Sequence, residues 1–254
     1  MIHRFRRLAL QLVSGTPLEP AARRLYARLA RTRGTQYDRE TSLVMARCLH
    51  RDSNAIDVGC YRGEILREML RLAPRGTHFA FEPVPDNYAY LVRQFRAARV
   101  FPFALADYRG EATFHHAVGR PARSGLRRVR YPDEQQEVRE IKVRVETLDH
   151  VIPADKPITF IKIDVEGAEL QVLRGGCGLI RRCRPAIVFE YGREGEEFYD
   201  TQPEHLYELL GGELEMHLST MSRWLAGQAP FDGAEFARHF RARSDFYYMA
   251  YPDA

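Results

Sequence analysis

Ala55-Ile56-Asp57-Val58-Gly59-Cys60-Tyr61-Arg62-Gly63 runs from a short apolar stretch through an acid into a glycine turn, and Glu64 to Leu72 follows with helical spacing. Strand, glycine turn and helix in that order are the grammar of a nucleotide-binding α/β domain, whose ligand sits at the carboxyl end of the strand. A dinucleotide fingerprint needs Gly-x-Gly-x-x-Gly, so that a pyrophosphate can rest on the backbone at the helix N-terminus. Here the spacing is Gly-x-x-x-Gly, between Gly59 and Gly63, and a carboxylate, Asp57, points toward the turn. A carboxylate repels a pyrophosphate and attracts the ammonium and sulfonium of S-adenosylmethionine.

Outward from this turn, strands and helices alternate. Ala55 to Val58, Thr77 to Phe81, Val100 to Leu105, Ile158 to Ile163 and Ala186 to Phe189 read as strands; Glu64 to Leu72, Asp86 to Ala97 and Ala168 to Leu173 read as helices between them. That alternation predicts βαβ units and a parallel sheet wound right-handed. Ala112 to Ala117 and Glu140 to Val145 break the rhythm and predict an antiparallel excursion after the third strand, with an arginine-rich loop at 120–130 between them. The tail predicts a helix over Pro203 to Leu210, a strand near Leu214 to Leu218, a helix over Gly233 to Phe240 and a last strand over Phe246 to Tyr251. Ahead of the core, residues 1–50 read as a helical extension: a basic amphipathic helix near the N-terminus, a second over Ala21 to Arg31, and a third capped by Asp38. Residues 51–254 then form one domain.

Composition narrows the class. The chain has 254 residues, 45% hydrophobic and 28% charged, with a net charge of +4, which is ordinary for a globular domain and too weakly basic to argue for nucleic acid. Lys142, Lys156 and Lys162 are the only lysines, an arginine preference that points to G+C-rich bacterial coding. Four cysteines without Cys-x-x-Cys pairing suggest free thiols in a reducing cytoplasm. No stretch approaches a membrane span. The basic N-terminal helix suits docking on the domain or on a partner subunit better than an anionic membrane surface.

Ligands of an open α/β sheet meet the carboxyl ends of its strands, and those ends carry Asp57, Glu82, the Ala106-Asp107 turn, Asp164 and Glu190. Glu82 falls about twenty residues past the glycine loop, where an acid holds ribose hydroxyls; capping the helix after Pro83 is its structural alternative. Five stretches together resemble the FkbM family of S-adenosylmethionine-dependent methyltransferases. They are Asp57 to Gly63, Phe79 to Asn87, Ala104 to Asp107 with Gly110, Thr147-Leu148-Asp149, and Phe160 to Glu169, and they span roughly residues 53 to 191. The resemblance implies a class I methyltransferase (Rossmann-like) fold, a seven-stranded, mostly parallel sheet whose last strand is antiparallel. It further implies O-methylation of a sugar, glycan or natural-product hydroxyl. Asp57 and Gly59 would receive the methionine moiety with Gly63 completing the turn, Glu82 the ribose, and Ala106 and Asp107 would lie near adenine. The family's first motif commonly reads Asp-Val-Gly-Ala-Asn, and here Cys60 and Tyr61 replace Ala-Asn.

Asp164 ends the fourth parallel strand, where an acceptor should meet the methyl group, and Glu166 lies next but one. Asp164 is expected to be the base or to orient the acceptor hydroxyl, with Glu166 assisting. Asp164, Glu166 and Glu190 would also suit Mg²⁺, a less favoured reading, and Glu166 would alternatively cap a helix. His115-His116 reads as a half-exposed pair, and the 120–130 loop, with its Ser124-Gly125-Leu126 stretch, as either a solvated loop or an acceptor-binding lid. A nicotinamide-dependent oxidoreductase lacks its fingerprint here, and the Asn/Asp-Pro-Pro-Tyr motif of base-flipping methyltransferases is missing. A non-catalytic partner protein that keeps the fold would not need Asp57, Glu82 and Asp164 together.

Overall fold

The structure, a computed structural model, describes residues 33–118, 124–127, 136–192 and 201–253; the two N-terminal helices expected from the sequence and most of the arginine-rich loop lie outside them. The chain divides into two compact units, residues 1–41 and 42–254. A helix, α1 (Arg33–Cys48), crosses that boundary. Asp38 is interior to this helix and not its cap, because the buried stripe Tyr37, Thr41, Val44, Met45 begins ahead of it.

The second unit follows the expected alternation: β1 (Asn54–Val58), α2 (Glu64–Leu72), β2 (His78–Phe81), α3 (Pro85–Gln94) and β3 (Arg99–Phe101). Then come β4 (Phe103–Leu105), β5 (Gly110–Ala117), β6 (Val138–Glu146), α4 (Leu148–Val151), β7 (Ile158–Ile163), α5 (Glu169–Arg174), α6 (Cys177–Cys183) and β8 (Ala186–Glu190). The tail is α7 (Pro203–Tyr207), a π-helical turn (Glu208–Glu213), β9 (His217–Ser219), α8 (Met221–Leu225), α9 (Gly233–Arg241) and β10 (Tyr247–Tyr251). Seven strands form one sheet in the order β3-β2-β1-β7-β8-β10-β9. β10 runs antiparallel to both neighbours and the other strands run parallel to one another. This is the seven-stranded sheet with an antiparallel last strand that the sequence resemblance implied.

Residues 100–105 were expected as a single strand and are two. Pro102, which cannot donate to a ladder, divides them, so that β3 stays in the main sheet while β4 joins β6 and β5 in a separate three-stranded sheet. The excursion is therefore larger than the antiparallel pair expected, and its β4–β6 edge is parallel.

Alternation along each strand sorts the core. Ile56, Val58, Phe79, Phe81, Ile161, Ile163, Ile187 and Phe189 share one cluster with Leu170, Val172 and Leu173 of α5 and Leu179 and Ile180 of α6. Ala80 packs with Leu66 of α2 and with Leu91 and Phe95 beyond it. The residues registered with Ala80 across the sheet therefore lie opposite the larger cluster, and two of them are charged.

Candidate active site

Strand register builds the site. Ala80, Asp57, Lys162 and Val188 are consecutive partners across β2, β1, β7 and β8. The residues two further on, at the carboxyl rim, are Glu82, Gly59, Asp164 and Glu190, and Glu190 is paired in turn with Tyr247 at the start of β10. An antiparallel β10 is what brings its first residue to this rim.

Asp57 is fully buried and neither carboxylate oxygen accepts a hydrogen bond. Burial pushes its pKa up to about 6; Lys162 pulls against that, Asp164 adds to it, and the Leu66 amide, short of hydrogen-bond geometry, lowers it slightly. Lys162 Nζ lies 3.9 Å from Asp57 Oδ1 and 3.2 Å from Asp164 Oδ2. Burial works against that cation, but the two acids outweigh it and hold the ammonium charged. Burial would raise Asp164 too; Lys162, a hydrogen bond with Glu190 and one from Tyr247 hold it below its ordinary range. Asp164 is thus an ionised carboxylate, and its side chain keeps 24% of its surface open. An unsatisfied buried carboxylate is costly, and Asp57 fits a ligand bringing its own positive charge, as the ammonium and sulfonium of S-adenosylmethionine do.

The glycine turn is held from two sides. Gly59 has φ +74°, and a Cβ there would sit 1.9 Å from the carbonyl oxygen of Asp164. The turn after β1 and the loop after β7 are therefore in backbone contact, which only glycine permits. At Gly63, φ +72°, a Cβ would meet Phe95 at 2.5 Å, so this glycine lets α2 start against the residue that ends α3. Glu82 closes the turn: its Oε2 accepts the Tyr61 amide at 2.9 Å, and its Oε1 accepts the Val84 amide at 3.0 Å and Asn87 Nδ2 at 3.4 Å. Of roughly four lone-pair positions on a carboxylate, one on Oε2 stays open. Burial raises the Glu82 pKa to about 7.

After β7 the chain turns through two left-handed residues, Glu166 at φ +59° and Gly167 at φ +109°; a glutamate in that region stores backbone strain. The buried Glu169 stabilises the turn by accepting the Val165 and Gly167 amides on Oε1, at 3.0 and 3.3 Å. Burial lifts its pKa to about 8. Acid oxygens of Asp164, Glu166 and Glu190 lie within 4.8 Å of one another, a donor set that a hard cation accepts, although Lys162 and Tyr247 already serve one oxygen of Asp164.

Of the sequence-predicted residues, the structure brings together Asp57, Gly59, Glu82, Asp164 and Glu166. Ala106 packs with Val84, two residues past Glu82; its amide donates to the Glu146 carbonyl oxygen at 3.0 Å, Gly175 presses on its own carbonyl, and Asp107 is exposed. His115 and His116 are half-buried on β5, and the His115 ring lies 3.6 Å from Glu140. The backbone of His115 pairs with Gly125, and a side chain begun at Gly125 would lie 3.7 Å from the carbonyl oxygens of Val165 and Glu166. The described part of the arginine-rich loop therefore touches the Asp164 loop. Lys162 and Tyr247 escaped the sequence reading. The signal for Lys162 was present, since a lysine two residues before an acid at a strand end shares that acid's face.

Three raised carboxyls make stability depend on pH. Asp57, Glu82 and Glu169 keep protons in the folded chain that they lose in the unfolded one above the ordinary range near 4. Their contribution is full below that range and is lost as pH rises through about 6, 7 and 8. His78 and His116, lowered chiefly by burial, act in the opposite sense only below their ordinary value of 6.5. The cofactor-free protein should therefore melt at a higher temperature at pH 6.5 than at pH 8, with a smaller difference in Glu169→Gln. Equal melting temperatures would contradict this assignment.

Comparisons with known proteins place the chain in a family. The FkbM methyltransferase domain profile matches residues 57–217. The chain is 31% identical over 172 residues to the 2-O-methyltransferase NoeI of Sinorhizobium fredii (strain NBRC 101917 / NGR234), covering 59% of this chain and 67% of that protein. Among solved structures, an FkbM methyltransferase from Methylobacillus flagellatus KT aligns over 80% of this chain and 44% of its own at 16% identity, TM-score 0.48. A TehB-like methyltransferase from Corynebacterium glutamicum aligns over 92% and 100% at 13% identity, TM-score 0.43. The strand order, not these scores, defines the sheet as that of a class I methyltransferase. With its match running from the glycine turn through the Asp164 loop and on to β9, the chain belongs to the FkbM family of S-adenosylmethionine-dependent methyltransferases.

Proposed function

We propose that this protein transfers a methyl group to a hydroxyl of a sugar, glycan or related natural-product acceptor. The observation that carries the reading is a buried Asp57 that accepts no hydrogen bond and shares Lys162 with an ionised, partly open Asp164: a cation-seeking pocket beside a group suited to an O–H. The name of the NoeI relative, a 2-O-methyltransferase, supports oxygen as the receiving atom.

In this reading Asp57 and the Gly59 turn receive the cationic methionine moiety, with Gly63 shaping the turn from behind. The open position on Glu82 Oε2 takes a ribose hydroxyl, and Ala106, packed with Val84 just past Glu82, and Asp107 lie on the adenine side. Bound S-adenosylmethionine supplies an electrophilic methyl whose C–S bond breaks toward sulfur as the O–C bond forms. Asp164 aligns the acceptor hydroxyl and takes its proton. Alignment supplies much of the rate, and a positioned base about 10²–10⁴-fold. The methylated oxygen becomes strongly acidic as the new bond forms, so a carboxylate of low basicity still receives the proton. Glu166 assists at the mouth, and the Ser124–Arg127 segment walls the acceptor side. No step here requires Mg²⁺, since Lys162 already supplies a fixed positive charge beside Asp164.

Asp57→Asn tests the reading. Removing the charge that meets a cation costs about 1.5–3 kcal/mol, so calorimetric affinity for S-adenosylmethionine should fall by about 10–150-fold, with or without Mg²⁺. Undiminished affinity would take Asp57 out of the cofactor site.

A further inference from the structure

Tyr247 belongs to none of the stretches that carry the family resemblance, and it lies beyond the matched residues 57–217. Its position is nevertheless specified by the sheet. It is the first residue of β10, registered with Glu190, which lies beside Asp164 in the rim row. The next residue, Tyr248, points the other way: it is fully buried and packs edge-on against Phe236 at 5.2 Å. Tyr247 instead reaches across β8, and its hydroxyl donates to Asp164 Oδ2 at 2.7 Å. Lys162 approaches the same oxygen at 3.2 Å from within the sheet. Two donors therefore engage Oδ2, and Glu190 hydrogen-bonds to the same carboxylate.

We propose that Tyr247 is a positioning residue for methyl transfer, pinning Asp164 by Oδ2 so that the acceptor hydroxyl is aligned by, and deprotonated at, the other oxygen. The proposal rests on the reading of Asp164 as the acceptor-facing base. A carboxylate turning freely about its terminal torsion presents either oxygen over a broad range of angles. One held by a charge-assisted O–H bond and a buried ammonium does not. Burial, followed by the charges of Asp164 and Glu190, raises the phenol well above its usual pKa, so Tyr247 stays a donor. Packing alone would be served by phenylalanine, which differs from Tyr247 only in the atom that touches Asp164.

Tyr247→Phe is the test, read in two ways. In crystals of the native and variant proteins with S-adenosylmethionine bound, the Asp164 carboxylate should hold one orientation in the native protein and rotate or split in the variant. With a panel of methyl glycosides as acceptors, the variant should lose on the order of 10–100-fold in kcat, the scale of a small misplacement. KM for the acceptor, the dissociation constant for S-adenosylmethionine and the melting temperature should stay close to native. An unmoved carboxylate, or an unchanged kcat where the native protein turns over, overturns the proposal. A native protein that methylates no glycoside counts against the acceptor reading above, and the crystal comparison then decides the role of Tyr247 alone.

Discussion

Asp164→Asn is expected to lower turnover by about 10²–10⁴-fold, the contribution of a positioned general base, while leaving S-adenosylmethionine binding nearly intact. The substitution keeps the shape of the side chain and an oxygen for Tyr247 and Lys162. It removes the negative charge that draws the acceptor proton. Lys162 would then have Asp57, 3.9 Å away, as its remaining acid, so cofactor affinity measured beside turnover separates loss of the base from disturbance of the donor pocket. Turnover equal to native would remove Asp164 from the mechanism. A large loss of affinity with turnover restored at saturating cofactor would make it a cofactor residue.

The second large effect is expected at Gly59. In Gly59→Ala the new methyl would start 1.9 Å from the Asp164 carbonyl oxygen, and the residue would keep a φ of +74°. Left-handed backbone costs a non-glycine residue about 1–2 kcal/mol, and a clash with backbone at a packed turn adds about 1–3 kcal/mol. Gly227 provides the control: its φ is +70° and a Cβ there meets nothing within 4 Å. Gly227→Ala should therefore cost the conformational part only and keep S-adenosylmethionine binding. Gly59→Ala should lower the melting temperature by roughly 5–15 °C and lose binding and activity together, because the cofactor turn and the Asp164 loop would be forced apart. If the two variants melt alike and both bind cofactor, the contact between turn and loop is not structural.

Elements whose evidence is local were legible in the sequence. Glu64 to Leu72, opened by Gly63, was read with the boundaries it has, as was Ile158 to Ile163, a run rich in Ile and Phe and buried on both faces. The strand-end acids Asp57, Glu82 and Asp164 were legible for the same reason. Other features depend on neighbours. Pro102 directs the chain from one sheet to another because a partner, β6, is available some forty residues on. Met221–Leu225 is a single short helix whose start is set by the Thr220 side chain accepting the Arg223 amide at 3.2 Å, a signal too brief to recognise as periodicity. The helix expected over Pro203 to Leu210 passes into a π-turn at Glu208 and carries on to Glu213, which delays the following strand to His217. Tyr247 was hidden most completely: it meets Asp164 across 83 residues of chain, and only the reversed direction of β10 brings it there. Lys162 was hidden in plain view within an apolar strand, where register with Asp57 gives it a role.

The central claim is methyl transfer from S-adenosylmethionine to oxygen, with Asp164 as the acceptor-side group. It is tested most directly by incubating the native protein and Asp164→Asn with methyl-labelled S-adenosylmethionine and a panel of hydroxylated glycans, and locating the label in the product by NMR. The account predicts a labelled methyl ether from the native protein and next to none from the variant. Label on nitrogen or carbon, or equal product from both proteins, would contradict it.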